Sequence, residues 1–194
     1  MARPREFDRD TALQKAIGVF WQKGFAATST DDLKDAMGIG RQSLYNAFGD
    51  KRQLYVEALR TYQRWSTSEH IRRLDTPASP VAGIEDLLVG LIAEDDDRRV
   101  LGCMGVGSVN EFGASDTELN ALREVVAPIL QEKVRARILE GQRAGEIDDT
   151  LDADEAASFV QMTMTGLQTA ARAGGSLEDL HRLARFCVDR LKAK

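Results

Sequence analysis

Apolar side chains recur every three or four residues along most of this chain, the pattern of helices that bury one face. The first stripe, Leu13, Ala16, Ile17 and Phe20, predicts a helix from Asp8 to Lys23 that ends at Gly24. Later stripes predict helices over 51–74, 81–94, 116–144, 152–173 and 176–192, and the glycine-rich segment 102–113 predicts a short or irregular helix. The pattern therefore predicts an all-α fold of about nine helices.

The segment 28–51 predicts two short helices joined by a tight turn. Ser29 can cap the first helix, with Asp32 three positions later approximating a capping box. Gly38 stands where that helix must stop and tolerates the left-handed conformation of a C-cap. Leu44 and Phe48, four residues apart, are expected to face the core from the second helix. Two helices and a turn of these lengths predict a helix-turn-helix, which places its second helix in the DNA major groove.

The exposed face of the second helix carries side chains suited to DNA. Arg41 and Gln42 lie at its start, where Arg can bind guanine and Gln can bind adenine with two hydrogen bonds. Ser43, Tyr45 and Asn46 can contact phosphate, sugar or a thymine methyl group. An ordinary polar surface helix is the alternative. The leading segment 1–7 carries Arg3 and Arg5, which either reach the minor groove or a phosphate or belong to a disordered terminus.

At this point the chain resembles the TetR family of transcriptional regulators. The matching features are Lys23-Gly24-Phe25, Met37-Gly38-Ile39 and, above all, the segment 43–59, SLYNAFGDKRQLYVEAL. The resemblance implies an all-helical homodimer with an N-terminal three-helix helix-turn-helix domain, over residues 1–50. A helical ligand-binding and dimerisation core over residues 51–194 follows, in which the helix after the DNA-binding domain acts as a lever.

The resemblance also assigns expected roles to residues. Thr30 and Lys51 match phosphate contacts of the family, and its recognition helix corresponds to Arg41, Gln42, Ser43, Tyr45 and Asn46. The chain departs from the common pattern at Gly40, where a capping serine or threonine is frequent, and at Gln42, where a small residue is frequent. The first departure puts the cap in doubt, and the second suggests that Gln42 contributes to this protein's own base preference.

Charge divides the chain in the same way. Residues 1–65 carry 11 Lys and Arg against 8 Asp and Glu, a net charge of +3, whereas the remainder carries −8 of the total of −5. An acidic remainder repels DNA and so favours docking through the N-terminal end. No apolar run has the length of a membrane span, and the charged N-terminus lacks a signal-like apolar core, so a cytoplasmic location is expected.

The core helices suggest where a ligand and a second subunit would bind. Apolar and adaptable side chains with a few polar groups are typical of ligand pockets. The expected pocket residues are Tyr62, Trp65, Leu88, Met104, Asn110, Phe112, Met162, Thr165 and Gln168, with plain core packing as the alternative for each aromatic residue and methionine. The last two helices are apolar over more than one stripe, which suggests a four-helix dimer interface. Its expected residues are Phe159, Thr163, Gly166, Ala170, Leu183 and Cys187.

Other function classes find little support. The two histidines, His70 and His181, show no metal-ligand spacing, and His70 is expected to be exposed. Neither a phosphate-binding glycine loop nor a nucleophile elbow is present, so neither an enzyme nor a cofactor or metal is expected. Two cysteines are too few for a disulfide framework. The sequence therefore predicts a homodimeric repressor that binds a palindromic double-stranded operator and responds to an unknown small molecule. The alternative is a helical ligand-binding or Cys103 redox-sensing protein with weak or no specific DNA binding.

Overall fold

Helices make up about three quarters of the computed structural model, which describes residues 7–193. In chain order the ten helices are α1 Arg9–Lys23, α2 Thr30–Met37, α3 Arg41–Phe48, α4 Lys51–Asp75, α5 Pro80–Val89, α6 Asp96–Arg99, α7 Met104–Phe112, α8 Thr117–Arg143, α9 Ala153–Arg172 and α10 Leu177–Leu191. The predicted all-α fold is confirmed, and the single turn α6 brings the count to ten. The proposed DNA contacts of Arg3 and Arg5 lie outside the described residues.

Local capping explains why α2 lies where the sequence predicted it. The Ser29 side chain accepts from the Asp32 backbone N–H, and the Asp32 carboxylate accepts from the Ser29 N–H. This reciprocal pair satisfies two of the backbone donors that a helix start leaves free. At the other end Gly38 has φ +69° and donates its N–H to the carbonyl of Lys34. The predicted capping box and glycine C-cap are both confirmed.

The next two helices begin differently. Gly40 is the N-cap of α3 and supplies no side-chain hydrogen bond, so the cap that the sequence put in doubt is indeed missing. Asp50, in contrast, caps α4 through the Gln53 N–H, and the Gln53 side chain bonds back to the Asp50 N–H. A firm start for α4 fixes the direction in which α3 is presented, because only Gly49 and Asp50 separate the two helices.

Two hydrophobic clusters form the interior, and α4 belongs to both. The N-terminal cluster gathers α1–α3 around Phe20, Leu44 and Tyr55 and also contains Met104 of α7 and Leu119 of α8. The second cluster lies among α5, α8, α9 and α10 and includes Leu74 near the end of α4. The N-terminal cluster therefore extends past residue 50, and a domain boundary there remains a prediction.

The segment between α5 and α7 differs from its predicted form. The helix predicted to run to Glu94 ends at Val89, and Asp95 caps the additional short helix α6. Arg99 explains the change, because its buried guanidinium donates to the carbonyls of Ala93 and Glu94. Those carbonyls would have no intrahelical partner after α5 ends, and Arg99 satisfies them.

The apolar residues of α8 are buried to different extents. Ile129 is 48% exposed, whereas Val134 and Ile138 are fully buried. Between residues 7 and 193, no helix combines the length and the apolar character that crossing a membrane requires.

Candidate nucleic-acid interface and ligand cavities

The outer face of α3 carries the polar side chains that the sequence singled out. Arg41, Gln42 and Asn46 are exposed, Tyr45 is 41% exposed, and Ser43 is half-buried. On the opposite face Leu44 and Phe48 are anchored in the N-terminal cluster. This division holds α3 rigidly while leaving its polar face open to a partner.

Two contacts pre-order that face. The Gln42 side-chain amide donates to the Asn46 side-chain oxygen at 2.9 Å, one helical turn away. Asp31 of α2 has a pKa below its usual range, mainly because Lys34 donates a hydrogen bond to it and to a smaller degree because Arg41 is near. Within residues 7–193 Asp31 is ion-paired with Lys34 and not with Arg41, so the Arg41 guanidinium stays available to a nucleic-acid phosphate or guanine edge.

Thr30 and Lys51 flank α3 at the starts of two neighbouring helices. Thr30 is the first residue of α2 and Lys51 the first of α4, and both are half-buried. The Lys51 Nζ lies 4.3 Å from the centre of the Phe25 ring, a cation–π contact that positions the ammonium group. Helix starts and a fixed ammonium group are both suited to binding phosphate.

Comparison with known proteins agrees with this geometry. Residues 12–58 match the model of the bacterial regulatory proteins of the tetR family. Over 182 residues the chain is 30% identical to YezE, an uncharacterised HTH-type transcriptional regulator of Bacillus subtilis, covering 93% of this chain and 94% of the relative. The chain belongs to the TetR family. It is accordingly a DNA-binding transcriptional regulator with an N-terminal helix-turn-helix and a helical C-terminal region.

Other TetR-family proteins resemble it over nearly the same length. The HTH-type transcriptional repressor ComR of Escherichia coli is 30% identical over 188 residues, covering 94% of this chain and 88% of ComR. The regulator CifR, solved as a cysteine mutant in complex with 26-bp double-strand operator DNA, is 30% identical with a TM-score of 0.78, covering 96% of this chain and 98% of that one.

In the present protein, three polar side chains connect the helix-turn-helix region to the rest of the molecule. The Glu111 carboxylate of α7 accepts from the backbone N–H groups of Phe25 and Ala26, at 2.9 and 2.5 Å. Arg172 of α9 donates to the carbonyls of Trp21 and Gln22 near the end of α1, both at 3.3 Å. Both contacts hold the end of α1 and the turn that leads to α2.

The third joint lies at the start of α4. Arg52 donates to Asp116 at 2.8 Å and to Glu118 at 3.2 Å, which ties α4 to the first turn of α8. Phe112 of α7 packs beside it, with its ring centre 5.5 Å from the Phe25 ring. A movement of α7 would therefore displace residues at the DNA-binding end.

A cavity of about 400 Å³ lies among α4, α7, α8 and α9, and we call it the apolar cavity. Its lining residues are Tyr62, Gln63, Ser66, Cys103, Gly105, Val106, Val109, Asn110, Arg123, Val126, Ala127, Thr165 and Thr169. Burial raises the pKa of the Tyr62 hydroxyl, and the adjacent Cys103 thiol raises it further. The size and the largely apolar walls are typical of small-molecule sites.

A second cavity of about 390 Å³, which we call the charged cavity, lies on the other side of Tyr62. Trp65, Arg73, Asp95 and Arg98 are among its lining residues, together with His70. His70 was expected to be exposed, but it is half-buried and its Nδ1 has no hydrogen-bond partner within residues 7–193. Burial lowers the pKa of His70 to about 4, so the imidazole is neutral at physiological pH.

The predicted ligand residues are divided among different places. Tyr62 lines both cavities, Trp65 and Gln168 line the charged cavity, and Asn110 and Thr165 line the apolar cavity. Met104 and Asn110 line a third cavity of about 320 Å³ beneath the end of α1. Leu88, Phe112 and Met162 line none of these three: Leu88 is fully buried in the second cluster, Phe112 packs on Phe25, and Met162 is 68% exposed.

The predicted interface residues are also divided. Phe159 and Leu183 are 37% and 51% exposed. Gly166 is exposed, and a Cβ added to it would meet no atom of residues 7–193 within 4 Å. Thr163 and Ala170 are half-buried. Cys187, in contrast, is 3% exposed, because its thiol donates to the Thr163 hydroxyl inside the α9–α10 contact. Cys187 therefore offers a partner almost no surface.

Sequence reasoning missed Gln63, Glu111, Arg123 and Arg172. No local motif marks them, since each looks like an ordinary polar residue on a helix, and their partners lie on other helices. Within residues 7–193, no group of His, Cys, Asp and Glu side chains is arranged to hold a metal ion.

Proposed function

We propose that this regulator is a repressor that binds a palindromic operator as a homodimer and is released when a small molecule enters its core. The observation that carries the proposal is the exposed polar face of α3, anchored from behind by Leu44 and Phe48. The repressor name of ComR and the operator DNA bound to CifR support it. We further propose that the protein acts in the cytoplasm.

The recognition helix would read base edges through Arg41 and Gln42, with Tyr45, Ser43 and Asn46 adding contacts to sugar, phosphate or thymine methyl groups. Thr30 and Lys51 would bind phosphates on either side of the groove. The missing side-chain cap at Gly40 supports this arrangement, since the first N–H groups of α3 stay free for the DNA backbone.

A homodimer would supply the second recognition helix. Exposed large apolar residues concentrate on the outer sides of α9 and α10, namely Phe159, Met162, Leu183 and Phe186. Contiguous exposed apolar surface of this kind marks an interaction site. Packing α9 and α10 against the same helices of a second chain would bury these side chains in a four-helix bundle with two-fold symmetry.

Effector release would use the apolar cavity and the joints to the DNA-binding end. Val106, Val109 and Asn110 of α7 line this cavity, and Glu111 of the same helix holds Phe25 and Ala26. A ligand that favours a shifted α7 would therefore displace the α1–α2 turn and change the spacing of the two recognition helices. A coupling of about 1–3 kcal/mol would lower operator affinity roughly 5- to 150-fold.

The test is fluorescence anisotropy of the full chain on labelled DNA from the region flanking its own gene, with scrambled DNA as the control and a salt series. Specific binding that survives physiological salt is expected, together with a two-fold symmetric footprint. The double variant Arg41→Ala, Tyr45→Ala should lose this specific binding while keeping its dimeric mass. Equal operator affinity of that variant and the unmodified protein would refute the assigned recognition face.

A further inference from the structure

Two residues that line the apolar cavity each carry a buried polar atom without a partner within residues 7–193, namely Nη1 of Arg123 and Oε1 of Gln63. The other guanidinium nitrogen of Arg123, Nη2, donates to the Gly113 carbonyl at 2.7 Å, which fixes the side chain. Leaving such groups without a partner costs free energy in a folded protein, and the cost is greatest for a charged group. A bound ligand would offset that cost.

The charge of the lining residues indicates which ligand group fits Arg123. Among the described residues that line the apolar cavity, Arg123 is the one charged residue, and Asp and Glu are absent. Within the described part of the chain, no carboxylate lies in ion-pair distance of its guanidinium. A fixed guanidinium without a carboxylate partner is the group that binds a carboxylate with charge-assisted hydrogen bonds.

Gln63 adds a second requirement. The hydroxyls of Ser66, Thr165 and Thr169 already donate to backbone carbonyls of their own helices. Gln63 is 9% exposed, and its amide can accept or donate depending on which way it is turned. A hydroxyl group, which both donates and accepts, satisfies either orientation.

Apart from Asn110 and the hydroxyl residues, the remaining lining is apolar. Val106, Val109, Val126 and Ala127 come from α7 and α8, and the Tyr62 ring from α4 closes one side. Its volume of about 400 Å³ accommodates a small hydrocarbon body between the two polar groups.

We infer that the apolar cavity binds a small amphiphilic carboxylate that also carries a hydroxyl group, with the carboxylate on Arg123, the hydroxyl on Gln63 and a hydrocarbon body against the valines. This inference rests on the proposed function, because it assigns the chemical class of the effector. Both polar residues lie on helices that also hold the DNA-binding end, Gln63 on α4 and Arg123 on α8.

The test uses isothermal titration calorimetry on the full-length protein without DNA. The probes are ω-hydroxyoctanoate, its methyl ester and octanoate, whose flexible chains let both ends reach their partners. The hydroxy acid should bind about tenfold more tightly than its ester. Arg123→Gln should bind the hydroxy acid about tenfold more weakly than the unmodified protein does, with its affinity for the ester unchanged. Gln63→Leu should bind the hydroxy acid no more tightly than octanoate.

The matched control is Arg98→Gln, which removes an exposed arginine that lines the charged cavity and should leave all three affinities unchanged. Equal binding of acid and ester, no binding of the hydroxy acid, or the same loss in Arg98→Gln as in Arg123→Gln would overturn the inference. Operator anisotropy on the same samples separates the two hypotheses. Operator binding without probe binding overturns the ligand class alone, and probe binding without operator binding overturns the proposed function alone.

Discussion

Single polar side chains connect the two ends of this molecule, and Glu111 is the clearest case. Its carboxylate accepts from two backbone N–H groups that would otherwise have to find water in the turn after α1. Such charge-assisted hydrogen bonds add to the packing of Phe25 on Tyr55 and Phe112 in ordering this turn. The stability of the α1–α2 turn therefore depends on a residue that lies 85 positions later in the chain.

We expect Glu111→Ala to lower the free energy of unfolding by about 1 kcal/mol, because two backbone donors lose a charged acceptor near the surface. Urea unfolding followed by circular dichroism measures the change. Glu124→Ala, which removes an exposed glutamate of α8, is the control and should stay near the unmodified value. Equal losses in the two variants would mean that Glu111 contributes only as a generic surface charge.

His70 gives a prediction about pH. Its pKa is lowered to about 4 by burial, against 6.5 for a free imidazole, so the unfolded chain binds a proton that the folded chain does not between those values. Its contribution to stability is complete above about pH 6.5 and is lost as the pH falls towards 4.

Between pH 6.5 and 4 the unmodified protein should therefore lose stability more steeply than the variant His70→Gln. The difference between the two slopes should reach about 1.4 kcal/mol per pH unit, which corresponds to one proton taken up on unfolding. Denaturant unfolding of both proteins at several pH values provides the comparison. Other groups titrate in both proteins, so the difference between the two curves is the quantity of interest. Parallel curves would show that the imidazole is hydrated and titrates normally.

At the scale of helices, the turn between α2 and α3 is set by two glycines with different roles. Gly38 has φ +69° and closes α2, whereas Gly40 has an ordinary negative φ of −71° and precedes α3. At either position an added Cβ would meet no atom of the described part of the chain within 4 Å. Only the backbone conformation distinguishes them, so they form a matched pair.

Gly38→Ala should cost about 1 kcal/mol, because an L-residue is strained in the left-handed region. Gly40→Ser should instead gain a few tenths of a kcal/mol by supplying the side-chain cap that α3 lacks. Thermal unfolding of the two variants beside the unmodified protein tests both signs. A stabilised Gly38→Ala variant would contradict the left-handed cap.

At the scale of the whole molecule, the proposed dimer predicts how the chain behaves in solution. We expect the double variant Phe159→Glu, Phe186→Glu to fall to half the mass of the unmodified protein, because carboxylates would be buried at the two-fold contact. Both side chains are more than a third exposed in the single chain, so the fold of each subunit should persist. Light scattering after gel filtration gives the mass, and circular dichroism checks the fold.

The control for this experiment is Val100→Glu, which places a charge on an apolar residue that is 43% exposed at the end of α6 and belongs to neither α9 nor α10. Its mass should equal that of the unmodified protein. A dimer that survives the change at Phe159 and Phe186 but dissociates in Val100→Glu would move the interface to the end of α6.

The sequence by itself determined the helix-turn-helix and most of the helix boundaries, because those depend on short-range chemistry. Capping by Ser29 and Asp32, the glycine at Gly38 and the spacing of Leu44 and Phe48 act within a few residues of one another. The local pattern was wrong where a distant part of the chain makes the contact. Arg99 binds a carbonyl that the pattern assigned to a longer α5, and His70, which the pattern placed in solvent, is partly buried.

Only the tertiary structure decided where a ligand could bind and how the two ends are joined. Gln63 and Arg123 are 60 positions apart and meet one cavity because α4 and α8 pack together. Glu111 and Arg172 reach the end of α1 from two other helices. The periodicity of a helix states which face is buried but not which helix covers it, so contacts between distant segments follow from packing alone.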